Sequence, residues 1–185
     1  KQQICQDVIL WAVNGGKLEI HDRLGQVLEC KCSKLPEIES VLKWVDELSV
    51  GFTAYEKPYW QDKYPTTVSM SGNNGENSVF IPGAGVKTYA EAKITVMSDV
   101  DEITVTAGDS TITLEDVGAH AQDEILINND DRGFFRITLN GESILNKRTR
   151  DSADDLSIKS GTVNTMAFTS DGNISMIIGA RGVWL

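Results

Sequence analysis

Histidine, cysteine and proline are scarce in this chain of 185 residues, with two, three and four copies, and aromatic residues make up only 7%. The three cysteines, Cys5, Cys30 and Cys32, are an odd number without regular spacing, which excludes a disulfide framework. Cys30-Lys-Cys32 also has the wrong spacing for a redox CxxC pair or a zinc knuckle, and it reads as two small hydrophobes on one strand face. His21 and His120 have no Cys, Asp or Glu at a metal-ligand or triad spacing, so both are expected to be surface or strand residues. Basic charge is short as well: 17 Lys and Arg stand against 27 Asp and Glu, for a net charge of −10. Phosphate binding needs clustered cations, so nucleic acid is excluded as a surface ligand. No apolar run approaches the roughly 18 residues of a membrane span, and no charged-then-apolar leader opens the sequence. A soluble protein made in a cytosol is expected. Because the chain starts at Lys1 and enters directly into a periodic segment, it is expected to be a piece of a longer one.

Hydrophobic residues amount to 41%, enough for a sizeable core in one large or two small domains. The acidity is uneven: residues 1–65 hold 8 basic and 10 acidic side chains, net −2, and residues 66–185 hold 9 and 17, net −8. The texture changes at the same place. Ile4, Val8, Trp11 and Ala12 line one side of a short helix ended by Asn14-Gly15-Gly16. A hairpin follows, with Leu18 and Ile20 on one strand, a turn at Asp22-Arg-Leu-Gly25, and Leu28, Cys30 and Cys32 on the returning strand. Ile38, Val41, Leu42, Val45 and Leu48 fit a helix after Pro36, with a strand as the alternative. Leu48, Val50, Phe52 and Ala54 then recur at period two, and Pro58 is expected to end the pairing and turn the chain. Tyr59, Trp60 and Tyr64 crowd the segment that follows, and something is expected to cover them.

After residue 65 come short β-branched runs separated by Gly72-Asn-Asn-Gly75, Gly83-Ala-Gly85, Gly108-Asp109, Asn140-Gly141 and Asp171-Gly172. Asn140-Gly141 and Asp171-Gly172 are each expected to close a two-residue hairpin, because both residue types tolerate the positive φ that such turns demand. About ten short strands over 120 residues predict an antiparallel sandwich.

Asn128-Asn-Asp-Asp-Arg-Gly133 lacks the bidentate Glu of a calcium loop and is expected to be a turn, and Gly83-Ala-Gly85 lacks the third glycine and following helix of a phosphate cradle. Gly108-Asp-Ser110 is not a nucleophile elbow, and Asp151, Asp154 and Asp155 read as a charged loop before a strand. The expectation is a protein that is not an enzyme and that uses no metal or cofactor.

The order of these elements resembles the distal tail proteins (Dit) of long-tailed bacteriophages. The first region is similar to the second half of that family's N-terminal domain, from the short helix and hairpin through Leu35-Pro36-Glu37 to Pro58-Tyr59-Trp60. The second is similar to its galectin-like β-sandwich, notably at Ile81-Pro-Gly83, Asp123-Glu-Ile-Leu-Ile127, Asn140-Gly141, Ser152-Ala-Asp-Asp155, Ser160-Gly-Thr-Val-Asn-Thr165 and Arg181-Gly-Val-Trp-Leu185. The resemblance implies a mainly β protein: a truncated α+β ring-forming domain at 1–65, lacking its first strands, then a galectin-like antiparallel β-sandwich at 66–185. It implies a structural protein of the virion, at the phage tail tip, made in the bacterial host cytoplasm. Its partners would be copies of itself in a ring, usually a hexamer, with the tail tube protein, the tail-tip hub protein and, in some phages, receptor-binding proteins. On this view Tyr59, Trp60 and Tyr64 are interdomain or subunit contacts, since aromatics supply large buried area at junctions. The acidic balance would repel DNA from a tail channel; its alternative role is to keep the protein soluble. The His, Asn and Arg cluster of a galectin sugar site is not reproduced around His120, and Trp184 is expected to plug the core or an edge. A carbohydrate- or host-surface-binding sandwich module is the alternative function.

Overall fold

A computed structural model describes residues 15–34, 51–54, 58–130 and 133–185. The helices expected at 4–13 and after Pro36, and the Leu35-Pro36-Glu37 segment, lie outside the described residues. The protein is mainly β: among the described residues the only helical turns are two short 3-10 segments, His21–Arg23 and Leu145–Lys147. It divides into two compact units, residues 1–63 with 185, and residues 64–184.

The first unit is built on the nine-residue strand β2 (Gln26–Lys34), which follows β1 (Gly16–Leu18) in an antiparallel hairpin with Leu18 opposite Leu28 and Gly16 opposite Cys30. β3 (Gly51–Ala54) pairs antiparallel with the far end of β2, placing Ala54 opposite Cys30 and Phe52 opposite Cys32. Phe52 and Ala54 are half-buried and Thr53 exposed, as period-two alternation requires. Cys30 and Val27 are buried. Burial pushes the Cys30 thiol above its usual range.

Pro58 does not turn the chain. β4 (Trp60–Asp62) is antiparallel to β2 just as β3 is, with Gln61 opposite Val27 and Asp62 opposite Gln26. β3 and β4 thus run in the same direction along β2, and Pro58, which cannot donate to a ladder, is exposed.

The second unit is one antiparallel sheet of nine strands, curled on itself into a sandwich-like body. Its strands are β5 (Thr66–Ile81), β6 (Lys87–Val96), β7 (Ile103–Ala107), β8 (Ser110–Leu114), β9 (Glu124–Asn129), β10 (Phe135–Leu139), β11 (Glu142–Ser143), β12 (Ser157–Lys159) and β13 (Thr162–Ala180); a short β14 (Val183–Trp184) follows. Alternate residues of β6, β7, β8 and β13 are buried, which gathers Ile94, Val96, Ile103, Val105, Ile112, Leu114, Met166, Phe168, Ile174 and Met176 into a single core. Each fully buried side chain of this size contributes about 1.5–3 kcal/mol through the apolar surface it removes from water.

Two expectations about this unit are corrected. Its strands are not all short: β5 and β13 run for 16 and 19 residues, and Gly72-Asn-Asn-Gly75 lies inside β5. Asp171-Gly172 does not close a hairpin, since both runs flanking it belong to β13. The first half of β13 pairs with β7, Ser170 lying opposite Ile103, and the second half pairs with β6, Ile174 lying opposite Val96. The dipeptide marks the irregularity at which the strand passes between them. Asp171 accepts hydrogen bonds from the backbone N–H of Asp101 and Glu102, each at 3.1 Å. Gly172 is required for closeness, because a Cβ there would run into the Asp99 carbonyl oxygen. Asn140-Gly141 does make a hairpin, with φ of +51° and +86° and Leu139 opposite Glu142. Gly108-Asp109 joins β7 to β8 in the same two-residue manner, with Ala107 opposite Ser110.

Candidate functional site

The junction aromatics are placed differently from one another. Trp60 opens β4 and is half-buried, with the Arg23 guanidinium 5.3 Å from the centre of its ring. That distance is within the reach of a cation–π contact, worth about 0.5–1 kcal/mol at a partly exposed site. Beside it, Lys63 Nζ reaches Glu19 at 2.9 Å while the Lys63 amide donates to the Gly25 carbonyl at 2.8 Å. The hydrogen bond from Lys63, helped by the Gly25 amide, holds the Glu19 carboxyl below its usual range. Tyr59 is half-buried. Tyr64 is 74% exposed and belongs to the second unit.

The second unit carries a polar groove of about 640 Å³ that the sequence did not single out. Its walls are the β7–β8 turn, β12 and the start of β13, and its charged side chains are Lys87, Lys159 and Asp109. Most of its other polar groups are committed to the fold. The Asn164 amide is buried and bridges the β12–β13 turn, donating to the Lys159 and Thr162 carbonyls at 2.9 and 3.2 Å and accepting from the Lys159 amide at 3.3 Å. Ser110 Oγ lies 3.0 Å from both the carbonyl and the hydroxyl oxygen of Ser157. No histidine lines the groove. The Lys87 ammonium bonds Asp155 at 3.2 Å and lies 5.1 Å from the Tyr89 ring, while Lys159 is exposed at the rim.

His120 sits on the surface, its Nδ1 3.0 Å from Asp99. The bond to Asp99 and that carboxylate's charge raise the imidazole pKa above its ordinary value. The His120 amide donates to Asp123 at 2.8 Å, and the Asn140 side chain donates to the same carboxylate at 2.7 Å. Those two bonds, the one from the His120 amide first, hold the Asp123 carboxyl below its usual range. Asn140 in turn accepts from the Glu124 amide at 2.9 Å, so the network clamps a loop to the β10–β11 turn. Among the described residues no three His, Cys, Asp or Glu side chains converge as a metal site, and no helix is long and apolar enough to cross a membrane. Asn128 and Asn129 end β9, and the Asp130 carboxylate accepts the Phe134 amide at 2.9 Å; the rest of the turn expected at 128–133 lies partly outside the described residues.

The outer face formed by β7 and β8 is hydroxylic. Thr104 and Thr113 lie opposite each other with their hydroxyls 3.0 Å apart, and Thr106 and Thr111 repeat the arrangement at 3.1 Å. The alternation Thr104-Val-Thr106 and Thr111-Ile-Thr113 was the signal for this face. No protein-family model matches the chain, and no curated protein is significantly similar to it.

Proposed function

We propose that this protein is a structural component of a bacteriophage tail tip of the distal tail kind, joining the tail tube to the tail-tip hub and the host-adsorption apparatus. In this reading residues 1–65 are the later part of an α+β ring-forming domain and residues 66–185 are a galectin-like sandwich projecting from it. The observation that carries the reading is the order of elements: a small antiparallel unit, made of a hairpin and two further short strands, precedes a larger sandwich-like antiparallel unit. Rings, usually hexamers, assemble from the first domain, and Tyr59, Trp60 and Tyr64 serve as contacts between domains or subunits. The excess of acidic charge would keep DNA from adhering as it passes.

The genes beside the one encoding this chain test the proposal. A tape-measure gene immediately upstream and a tail-hub gene immediately downstream are expected, and an operon of unrelated metabolic genes would sink it. The groove between Lys87, Lys159 and Asp109 favours a second reading, in which the sandwich binds a carbohydrate or another host-surface group. Under the assembly reading a glycan array shows no selective binding; a reproducible hit that is lost on Lys159→Ala would establish the second.

A further inference from the structure

β5 stands at one margin of the nine-stranded sheet and differs from the others. The outer side of β8 is covered by residues 148–153: the Thr149 and Ala153 amides donate to the Thr113 and Thr111 carbonyls at 3.0 and 2.8 Å, and Ser152 Oγ accepts from the Thr113 amide at 2.8 Å. At another margin β11 is only two residues long. Short or covered edges of this kind prevent pairing with other chains. Among the described residues β5 has neither protection. Among the described residues it pairs with β13 alone, over 16 residues that include no proline, no lysine and one charge, Glu76. From 73 to 78 every residue except Gly75 is exposed, so side chains on both faces of the strand meet solvent. Gly75 itself is half-buried under the Phe168 ring. Beside this stretch Phe80 and its cross-strand neighbour Val163 are 55% and 60% exposed.

We infer that β5 is a self-association edge, its 74–81 half pairing antiparallel with the same segment of a second copy about a two-fold axis. Charge selects this occupant. Two chains of net −10 repel over most of their surfaces, but here each copy brings a single carboxylate, and only a register centred on Glu76 sets the two carboxylates opposite each other. A two-fold also satisfies the outward N–H and C=O groups of each strand with the same groups of the other, so no different partner sequence is needed. Eight residues span about 26 Å at about 3.3 Å each. A strip of that length buries well under the roughly 800 Å² per partner of a standard interface, so the dimer is weak and concentration-dependent.

The inference does not depend on the tail-tip reading, because rings assembled through the first unit would leave exchange along β5 unchanged. The test is hydrogen exchange with sedimentation velocity on the whole chain, from micromolar concentration to roughly 0.5 mM, the range in which weak interfaces fill. Amides within 74–81 are expected to exchange at least about threefold slower at the high end, while those of β8 do not change. Asn77→Lys/Phe80→Lys, placing lysines on the edge, should abolish that difference while leaving the circular dichroism spectrum intact. Exchange over 74–81 that is independent of concentration in the wild type overturns the inference, as does a folded lysine variant whose 74–81 amides slow with concentration as much as those of the wild type.

Discussion

Replacing Gly172 with alanine should destabilise the sandwich-like unit more than replacing Gly141, although only Gly141 sits in a turn that needs a positive φ. Gly141 has φ +86° and open space around its missing Cβ, so alanine there costs only the left-handed conformation, about 1–2 kcal/mol. Gly172 does not have a positive φ, but a Cβ there would meet the Asp99 carbonyl oxygen, with Val100 Cγ2 at 2.8 Å and Ser98 Oγ at 2.9 Å. A rigid backbone oxygen cannot move aside as a side-chain tip can, so the overpacking cost falls at the upper end of its range, about 3 kcal/mol. Both substitutions regain roughly 0.4–1 kcal/mol by restricting the unfolded chain, so this contribution cancels in the comparison. The expected gap is about 1–2 kcal/mol; at about 2–4 °C per kcal/mol for a chain of this length, that is roughly 2–8 °C in Tm. Urea and thermal unfolding followed by circular dichroism would measure it. If Gly141→Ala is as damaging as Gly172→Ala, or more so, Asp171-Gly172 is an open turn and β13 does not pass unbroken between β7 and β6.

Three further outcomes are expected. Ser160→Ala should cost about 1–3 kcal/mol in urea unfolding, because the buried Ser160 Oγ accepts the Val86 amide at 3.0 Å and nothing replaces it. The His120 pKa is raised in the folded state, so its pairing with Asp99 stabilises fully below the ordinary histidine value of about 6.5 and is lost as pH rises through the folded value. His120→Gln should therefore narrow the stability difference between pH 5.5 and pH 9, and NMR titration of wild-type His120 should show a midpoint above that of an unfolded peptide. Trp60→Ala should weaken ring formation, read as a shift to smaller species in sedimentation, and leave any glycan binding unchanged; loss of binding with assembly intact would make Trp60 part of a ligand site.

Local chemistry was legible in the sequence wherever it acts over a few residues. Asn140-Gly141 specifies its hairpin because both residues accept positive φ, and the alternation from Ile103 to Leu114 specifies two half-buried strands. Asp171-Gly172 looks the same in sequence and does something else, because its outcome depends on Asp101, Glu102 and Asp99, about seventy residues away. The length of β5 was concealed by Gly72-Asn-Asn-Gly75, whose residues favour turns in isolation but are held extended by pairing with β13. Pro58 cannot donate to a ladder; that holds at its own position and says nothing about where the chain next pairs with β2. The groove escaped notice because Lys87, Asp109 and Lys159 come from three strands and turns with no shared spacing.

Assembly at a tail tip is tested most directly by electron microscopy of the whole gene product at micromolar concentration. Closed rings, six-fold in projection and with a central channel, are expected. A uniform field of single particles the size of one chain would contradict it.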